Sequence, residues 1–374
     1  MKLKEVKTET DKINFIRGIY YIYKNDIEWV APLDSDIEQI FNENKNLNFK
    51  LGKACRWILL DDNSKIIGRI AAFYSQKDFI QGEKKIGACG FFECINSQEA
   101  ANMLFDNAKL WLQSQGIEGM NGPVNFGEKD KFWGLMVAGF KNPSYQENYN
   151  PSYYQKLFEN YGFVKITEQT TSEININDFN YDRFNKLSSR VLSNPAYTFE
   201  HFRIKDLNKF SDDFITIYNL AWAHRSDFSP MTKDRIETTL KSLKPILMEK
   251  VMWFAYAHKK PAGFYISVID VNKLFKPLNG KLNWVGKLKF LWYKNTTNIS
   301  RVRGIVFGII PEYQNLGLET GMIMSFYNAV KKHHPEITTS ELAWIGDFNP
   351  KMHGLFTALG AKTTKIHFTY QIVF

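Results

Sequence analysis

The chain repeats its own landmarks at one spacing, and this constrains its fold more than any other feature. Trp57 is matched by Trp253, 196 positions on, and Gly68 by Gly263, 195 on. Asn150-Pro151 is matched by Asn349-Pro350, 199 on; Leu157-Phe158 and Gly162 are matched by Leu355-Phe356 and Gly360, 198 on. Shared offsets of this kind mark an internal duplication. Periodicity gives each half the same order of elements. In the first half, helical patterns at 10–23 and 34–46 precede a hairpin (56–60 and 66–73) and a strand at 87–95. A helix capped by Ser97 follows, with Ala100, Leu104, Ala108, Trp111 and Leu112 on its inner face. After a turn-rich loop at 121–134, Asn150 opens a short helix that Gly162 ends, and 163–174 is a strand. The second half reads as a strand at 199–204, helices at 207–223 and 233–247, and a hairpin at 252–257 and 262–268. It continues with a strand, turn and helix around 305–330, a strand at 341–345, a helix opened by Asn349, and a closing strand at 364–373. The expectation is α/β, an α+β mixed sheet in two tandem domains, 1–180 and 195–374, with a boundary near 175–198.

Composition restricts the class of protein. The chain is 44% hydrophobic and 23% charged, as globular proteins are. No apolar run approaches the ~20 residues that span a bilayer. The start, MKLKEVKTETDK, is too polar for a secretory signal. Three cysteines (Cys55, Cys89, Cys94) lack metal-ligand spacing, which points to a reduced, cytoplasmic, metal-free protein. The net charge is +9, but residues 273–303 hold eight Lys and Arg with no acid, leaving 40 basic against 39 acidic residues elsewhere. The basicity is one local insertion, so a general nucleic-acid surface is not expected.

The stretch 305–321, IVFGIIPEYQNLGLETG, carries the clearest chemistry. An apolar strand stops at Pro311, a polar turn reaches Gly317, and a helical pattern starts at Leu318. Such a turn aims unpaired N–H groups at one point, and the helix start adds roughly half a positive charge there. Glycine lets a ligand approach the backbone. The first half has no such turn: Ser97 caps its own helix and Glu99 occupies the dipole end.

With these elements in place, the chain resembles the GNAT (Gcn5-related N-acetyltransferase) superfamily, acyl-CoA N-acyltransferases, in a tandem form. The motif Q/R-x-x-G-x-G/A, whose amides hold the pyrophosphate of acetyl-CoA, is matched by Gln314, Asn315, Leu316, Gly317 and Leu318. Glu319 stands where Gly or Ala is usual, a carboxylate that repels pyrophosphate unless it turns away. The resemblance implies that these six residues, with Ile309 and Ile310 at the strand end and Asn349 at the next helix, bind acetyl-CoA or another acyl-CoA. It also implies an oxyanion donor from the backbone at Ile309–Ile310. GFFEC (90–94) and NPSYYQKLFENYGF (150–163) resemble bacterial GNAT-like proteins of this length.

Acyl transfer to an amine needs a base, because a lysine-like amine with pKa ~10.4 is protonated at neutral pH. Many such enzymes place a Tyr acid where this chain has Phe356, and Phe158 in the first half. Tyr313, His353 and Tyr370 are substitutes; Glu341, Glu312 and Asp347 are alternative bases. The resemblance places the acceptor, a small-molecule or peptide amine, at Trp222, His224, Arg225 and Asp227. In the basic insertion, Trp284, Val285, Leu288, Leu291 and Trp292 share one helical face, and Lys287 and Lys294 lie off it. That face either packs on the protein or lies on a membrane surface. The leading function is an acyl-CoA-dependent N-acyltransferase acting in the second half. The alternatives are a non-catalytic GNAT-fold ligand- or partner-binding protein and an aminoacyl-tRNA-dependent transferase. Oligomeric state is not encoded legibly.

Overall fold

The computed structural model describes residues 1–223 and 230–374, apart from the side chain of Ser242. The first half runs β1 (Lys2–Glu5), α1 (Glu9–Arg17), α2 (Asp34–Ile40), β2 (Gly52–Leu60), β3 (Ile66–Ser75), β4 (Ile86–Cys94), α3 (Gln98–Ser114), β5 (Gly119–Gly122), β6 (Leu135–Ala138), α4 (Tyr154–Tyr161) and β7 (Val164–Asn175). After α5 (Tyr181–Leu192) the second half runs β8 (Tyr197–His201), α6 (Leu207–Trp222), α7 (Lys233–Leu243), β9 (Met252–Ala257), β10 (Lys260–Ile269), α8 (Asn272–Phe275) and α9 (Trp284–Thr296). It ends with β11 (Arg301–Ile309), α10 (Leu318–His333), β12 (Thr339–Gly346), α11 (Pro350–Leu359) and β13 (Lys362–Val373). Among the described residues no helix is long and apolar enough to cross a membrane.

Local chemistry explains the recurrent helices. Leu104, Phe105, Ala108 and Leu112 give α3 a buried face, and the Ser97 hydroxyl accepts the N–H of Ala100. α4 and α11 both end on a left-handed glycine, Gly162 at φ 105° and Gly360 at φ 81°, a conformation that costs other residues more. Asn349 caps α11, but Asn150 does not open α4: the N-cap there is Tyr153, and the Asn150 side chain bonds the Met136 backbone instead.

The two halves are joined in a way the linear domain boundaries do not convey. Among the described residues all strands form one 13-stranded sheet, ordered β1-β2-β3-β4-β5-β13-β7-β12-β11-β10-β9-β8, with β6 beside β13. The duplication holds, but the closing strands are exchanged. β13, the last strand of the chain, pairs with β5 of the first half, and β7 of the first half pairs with β12 of the second. β7 and β13 pair with each other along most of their length. Packing follows the exchange. Tyr370 of β13 belongs to the core of Trp57, Leu104, Phe105 and Phe158, while Ile174 of β7 packs with Ile323, Leu342 and Phe356. Burying each such aliphatic or phenylalanine side chain contributes about 1.5–3 kcal/mol. The stretch expected to be a linker contains α5 instead, which packs on α10 through Phe184 and Val191.

Candidate active site

In the second half, β11 and β12 run parallel for three paired positions only, Arg301 with Thr339, Val302 with Ser340 and Arg303 with Glu341. Beyond these the strands part. At the far end of β11, the N–H of Ile310 bonds the Ala262 carbonyl at 2.9 Å, which fastens the strand to its hairpin neighbour. Pro311 then stops the strand, and the Gln314 amide donates back to the Ile309 carbonyl at 3.2 Å. Two left-handed residues, Asn315 at φ 62° and Gly317 at φ 84°, turn the chain into α10. The Gly317 carbonyl accepts the N–H groups of Thr320 and Gly321. Among the described residues, the N–H groups of Asn315, Leu316, Gly317, Leu318 and Glu319 have no acceptor. Gln314, Asn315 and Leu316 are exposed, and no side chain caps the helix at Gly317. These are the features of an anion-binding turn on a helix start. Val191 closes its inner side, 2.8 Å from where a Cβ on Gly317 would stand.

The other residues expected at this site fall in different places. Tyr313 is half-buried at the turn, against the cluster of Val191, Ile309 and Leu318. His353 is half-buried on α11. Trp222 ends α6 and stacks on Tyr218 and Phe264, and its ring lies against Gly308 of β11. His224, Arg225 and Asp227 lie outside the described residues.

Four expectations are corrected. The Ile310 N–H is already bonded, so it is not a free oxyanion donor. Asn349 caps its own helix, its side chain accepting the N–H of Met352 at 3.3 Å, rather than facing a ligand. Tyr370 sits in the first-half core and donates to Glu159. Glu341 is not an accessible base: it is 0% exposed, and Ser144, Arg301, Arg303 and Lys365 occupy its two oxygens.

Glu341 belongs to a buried charge cluster where the two halves meet. Lys365 of β13 donates to Glu341 at 2.8 Å and to Glu147 at 2.5 Å. Arg301 reaches Glu341, Glu173 and Asp270. Burial pushes the Glu147 carboxyl upward, but the cations Lys365, His367 and Arg303 outweigh it and hold it at about 2. The cluster pins the three paired positions from which β11 and β12 diverge.

The first half holds a second polar group that the sequence reading did not single out. Glu93 of β4 is buried beside its cross-strand partner Arg69, at 3.3 Å, and accepts from the hydroxyls of Tyr23 at 2.5 Å and Tyr154 at 2.8 Å. Burial raises its pKa, against the opposing pull of Arg69 and the two tyrosines. A cavity of about 60 Å³ lies against it, lined by Tyr20, Trp29, Arg69, Phe91 and Tyr154 among others. The signal was present in sequence: an Arg and a Glu each interrupt an apolar strand, in IIGRIAAF and in GFFEC.

A splayed parallel strand pair followed by a helix occurs in both halves, with the open amide turn in the second half alone among the described residues. This is the fold of the GCN5-related N-acetyltransferases, in tandem. Among solved structures, a tandem GNAT protein from the clavulanic acid biosynthesis pathway superposes with TM-score 0.57 at 10% identity, over 100% of this chain and 98% of that one. The GCN5-related glucosamine N-acetyltransferase region of a fungal multi-domain GH3 β-N-acetylglucosaminidase gives TM-score 0.56 at 10% identity, over 99% of this chain and 38% of that one. Relatives by sequence include protein YghO of Escherichia coli (strain K12), 23% identical over 361 residues, covering 94% of this chain and 90% of the relative. The bacterial ceramide synthase of Caulobacter vibrioides (strain NA1000 / CB15N) is 22% identical, covering 98% of this chain and 96% of the relative. No protein-family model matches the chain.

Proposed function

We propose that the chain is an acyl-CoA-dependent N-acyltransferase working in its second half. The observation that carries this is the set of unacquitted N–H groups at Asn315–Glu319, at the end of a strand that has parted from its parallel neighbour. The amides suit the pyrophosphate of an acyl-CoA, and the gap between β11 and β12 suits its pantetheine arm. The amine nitrogen attacks the thioester carbonyl, the C–S bond breaks, and the thiolate takes up a proton while the amine gives one up. With Glu341 enclosed, Tyr313 beside the turn and His353 on α11 are the groups assigned to those protons. Holding both reactants in one cleft supplies much of the acceleration. All described cysteines are free thiols, which fits a cytoplasmic setting.

For the acceptor we favour a long-chain amine over a small soluble one. One full-length relative is named a bacterial ceramide synthase, and a ceramide is the amide of a fatty acid with a long-chain amino alcohol. The apolar face of α9, exposed rather than packed, favours a lipid-like substrate too. Arg301 and Arg303 of the basic stretch are spent on buried ion pairs, which leaves fewer of its cations for an RNA partner.

Titration calorimetry with CoA, and thiol release from acetyl- and palmitoyl-CoA with sphinganine or lysine as acceptor, test the proposal. Glu319 is half-buried in the first turn of α10. Glu319→Ala should tighten CoA on the order of tenfold if the carboxylate faces the turn, by removing like-charge repulsion of a few kcal/mol at most. Equal affinity in both forms would place Glu319 away from the ligand. No heat and no thiol release in either would overturn the function.

A further inference from the structure

α9 is built with its apolar face turned outward. At 3.6 residues per turn, Gly286, Phe290 and Tyr293 make the inward face, packed on Phe275 and the cluster of Leu33, Val271, Leu274 and Leu278. The approach is close at Gly286, where a Cβ would stand 2.2 Å from the Lys281 carbonyl. Opposite this face lie Trp284, Leu288, Leu291 and Trp292, and the exposures of Trp284, Leu288 and Trp292 are 73%, 59% and 60%. Lys287 and Lys294 border this stripe on one side and Lys289 on the other, all exposed. Among the described residues none of these lysines, nor Lys281, pairs with an acid. The helix start is fixed by Asn283, which accepts the Gly286 N–H at 3.0 Å. Of the two expectations for the stripe, packing on the protein is not what the structure shows.

We infer that α9 is an interfacial helix that docks the protein on an anionic lipid bilayer. The arrangement matches what such a surface requires: tryptophan and leucine to enter the acyl boundary, and lysines on both flanks at headgroup level. A protein partner would need acids to meet the lysines and apolar groups to cover two tryptophans. A bilayer of acidic phospholipid supplies both at once over the whole face. The stretch 273–303 contains no Asp or Glu, so nothing on this element opposes the contact. Docking also orients the chain. The Gly280 carbonyl accepts the N–H of Asp34 at 2.9 Å, and Lys276 donates to the Ile27 carbonyl. The insertion is thereby tied to the 27–34 segment, from which Trp29, Val30 and Pro32 line the first-half cavity. The inference does not rest on the acyltransferase proposal, and its test contains no CoA.

The full-length chain is mixed with vesicles of phosphatidylcholine alone or with phosphatidylglycerol added, and bound protein is read by sedimentation and by tryptophan emission. Binding to the mixed vesicles, weak binding to the neutral ones, and a blue-shifted emission are expected. Lys287→Gln/Lys289→Gln/Lys294→Gln should lower partition to the anionic vesicles on the order of 100-fold. Trp284→Ser/Leu288→Ser/Trp292→Ser should lower it more than about tenfold. Because all six side chains are exposed, circular dichroism should stay unchanged. Unaltered partition in both variants would overturn the inference. So would a concentration-dependent dimer, without vesicle binding, that the tryptophan and leucine substitutions abolish, since a second copy would then cover the face.

Discussion

Lys365→Met tests the junction between the halves. Lys365 is 1% exposed and its ammonium lies between the carboxylates of Glu147 and Glu341. Glu341 keeps Arg301 and Arg303 when the lysine is removed, whereas Glu147 loses the one close ion pair it has among the described residues. Breaking a buried pair from one side costs about 3–5 kcal/mol, because the remaining charge stays desolvated. Methionine fills the space, so little of the loss comes from packing. The pH dependence separates this cause from others. In the wild type, Glu147 titrates near 2, below its ordinary value of 4.5, so its stabilisation is present above about 4.5 and lost as the pH falls towards 2. Without the lysine, burial dominates and raises the carboxyl's pKa, so acid relieves the strain that it imposes at neutral pH. The stability gap between variant and wild type should thus be widest at pH 7 to 8 and narrow steadily towards pH 4. Urea denaturation across that range measures it, and Lys365→Met/Glu147→Gln should recover much of the loss. A gap under about 1 kcal/mol, or one independent of pH, would refute the argument.

Two further outcomes concern the first half. Tyr154→Phe removes a donor from Glu93 and an acceptor from the Cys94 N–H, both buried, and should cost about 1–3 kcal/mol in thermal or chemical denaturation. Gly90→Ala would place a Cβ 1.8 Å from the Val124 carbonyl, a backbone atom that cannot swing aside, so a loss of about 3 kcal/mol is expected by the same measurement.

What could be read from sequence was local. The Asn349 cap and the glycines that close α4 and α11 were legible because capping chemistry needs particular residues at fixed positions, and the hairpins because two apolar runs flank a short polar turn; the expected Asn150 cap is not formed, since Tyr153 holds that position. The turn that leads into α10 was legible for the same reason, with Pro311 and Gly317 punctuating it. β5 was not, since Gly-Met-Asn-Gly at 119–122 has the composition of a turn and becomes a strand only through β4 and β13. The exchange of β7 and β13 was hidden because both are suitable neighbours for either half, and pairing over such distances is decided by tertiary packing. The stripe on α9 was visible, but not its direction. That depends on Gly286 and Phe290, whose contacts with Lys281 and Phe275 exist only in the folded chain. Lys365 and Glu341 likewise appear in sequence as ordinary charged strand residues.

The exchange of strands and the inequality of the halves are connected. For β12 to part from β11, it must give up pairing on one edge over Leu342–Gly346, and a lone strand end of this kind is costly. Its other edge is held by β7, with Ile345 against Thr170 and Gly346 against Gln169. β7 comes from the first half. The cleft of the second half is thus kept open by a strand that the first half contributes, and the charge cluster at Glu341 fixes where the opening begins. The first half, whose own helix start is capped by Ser97, thus supports the second half through β7. Its contribution to the site is mechanical: it supplies the wall against which β12 leans. The same logic explains why β13, encoded last, closes the first half. Each half donates the strand that the other requires, so neither can lose its sheet without disabling its neighbour.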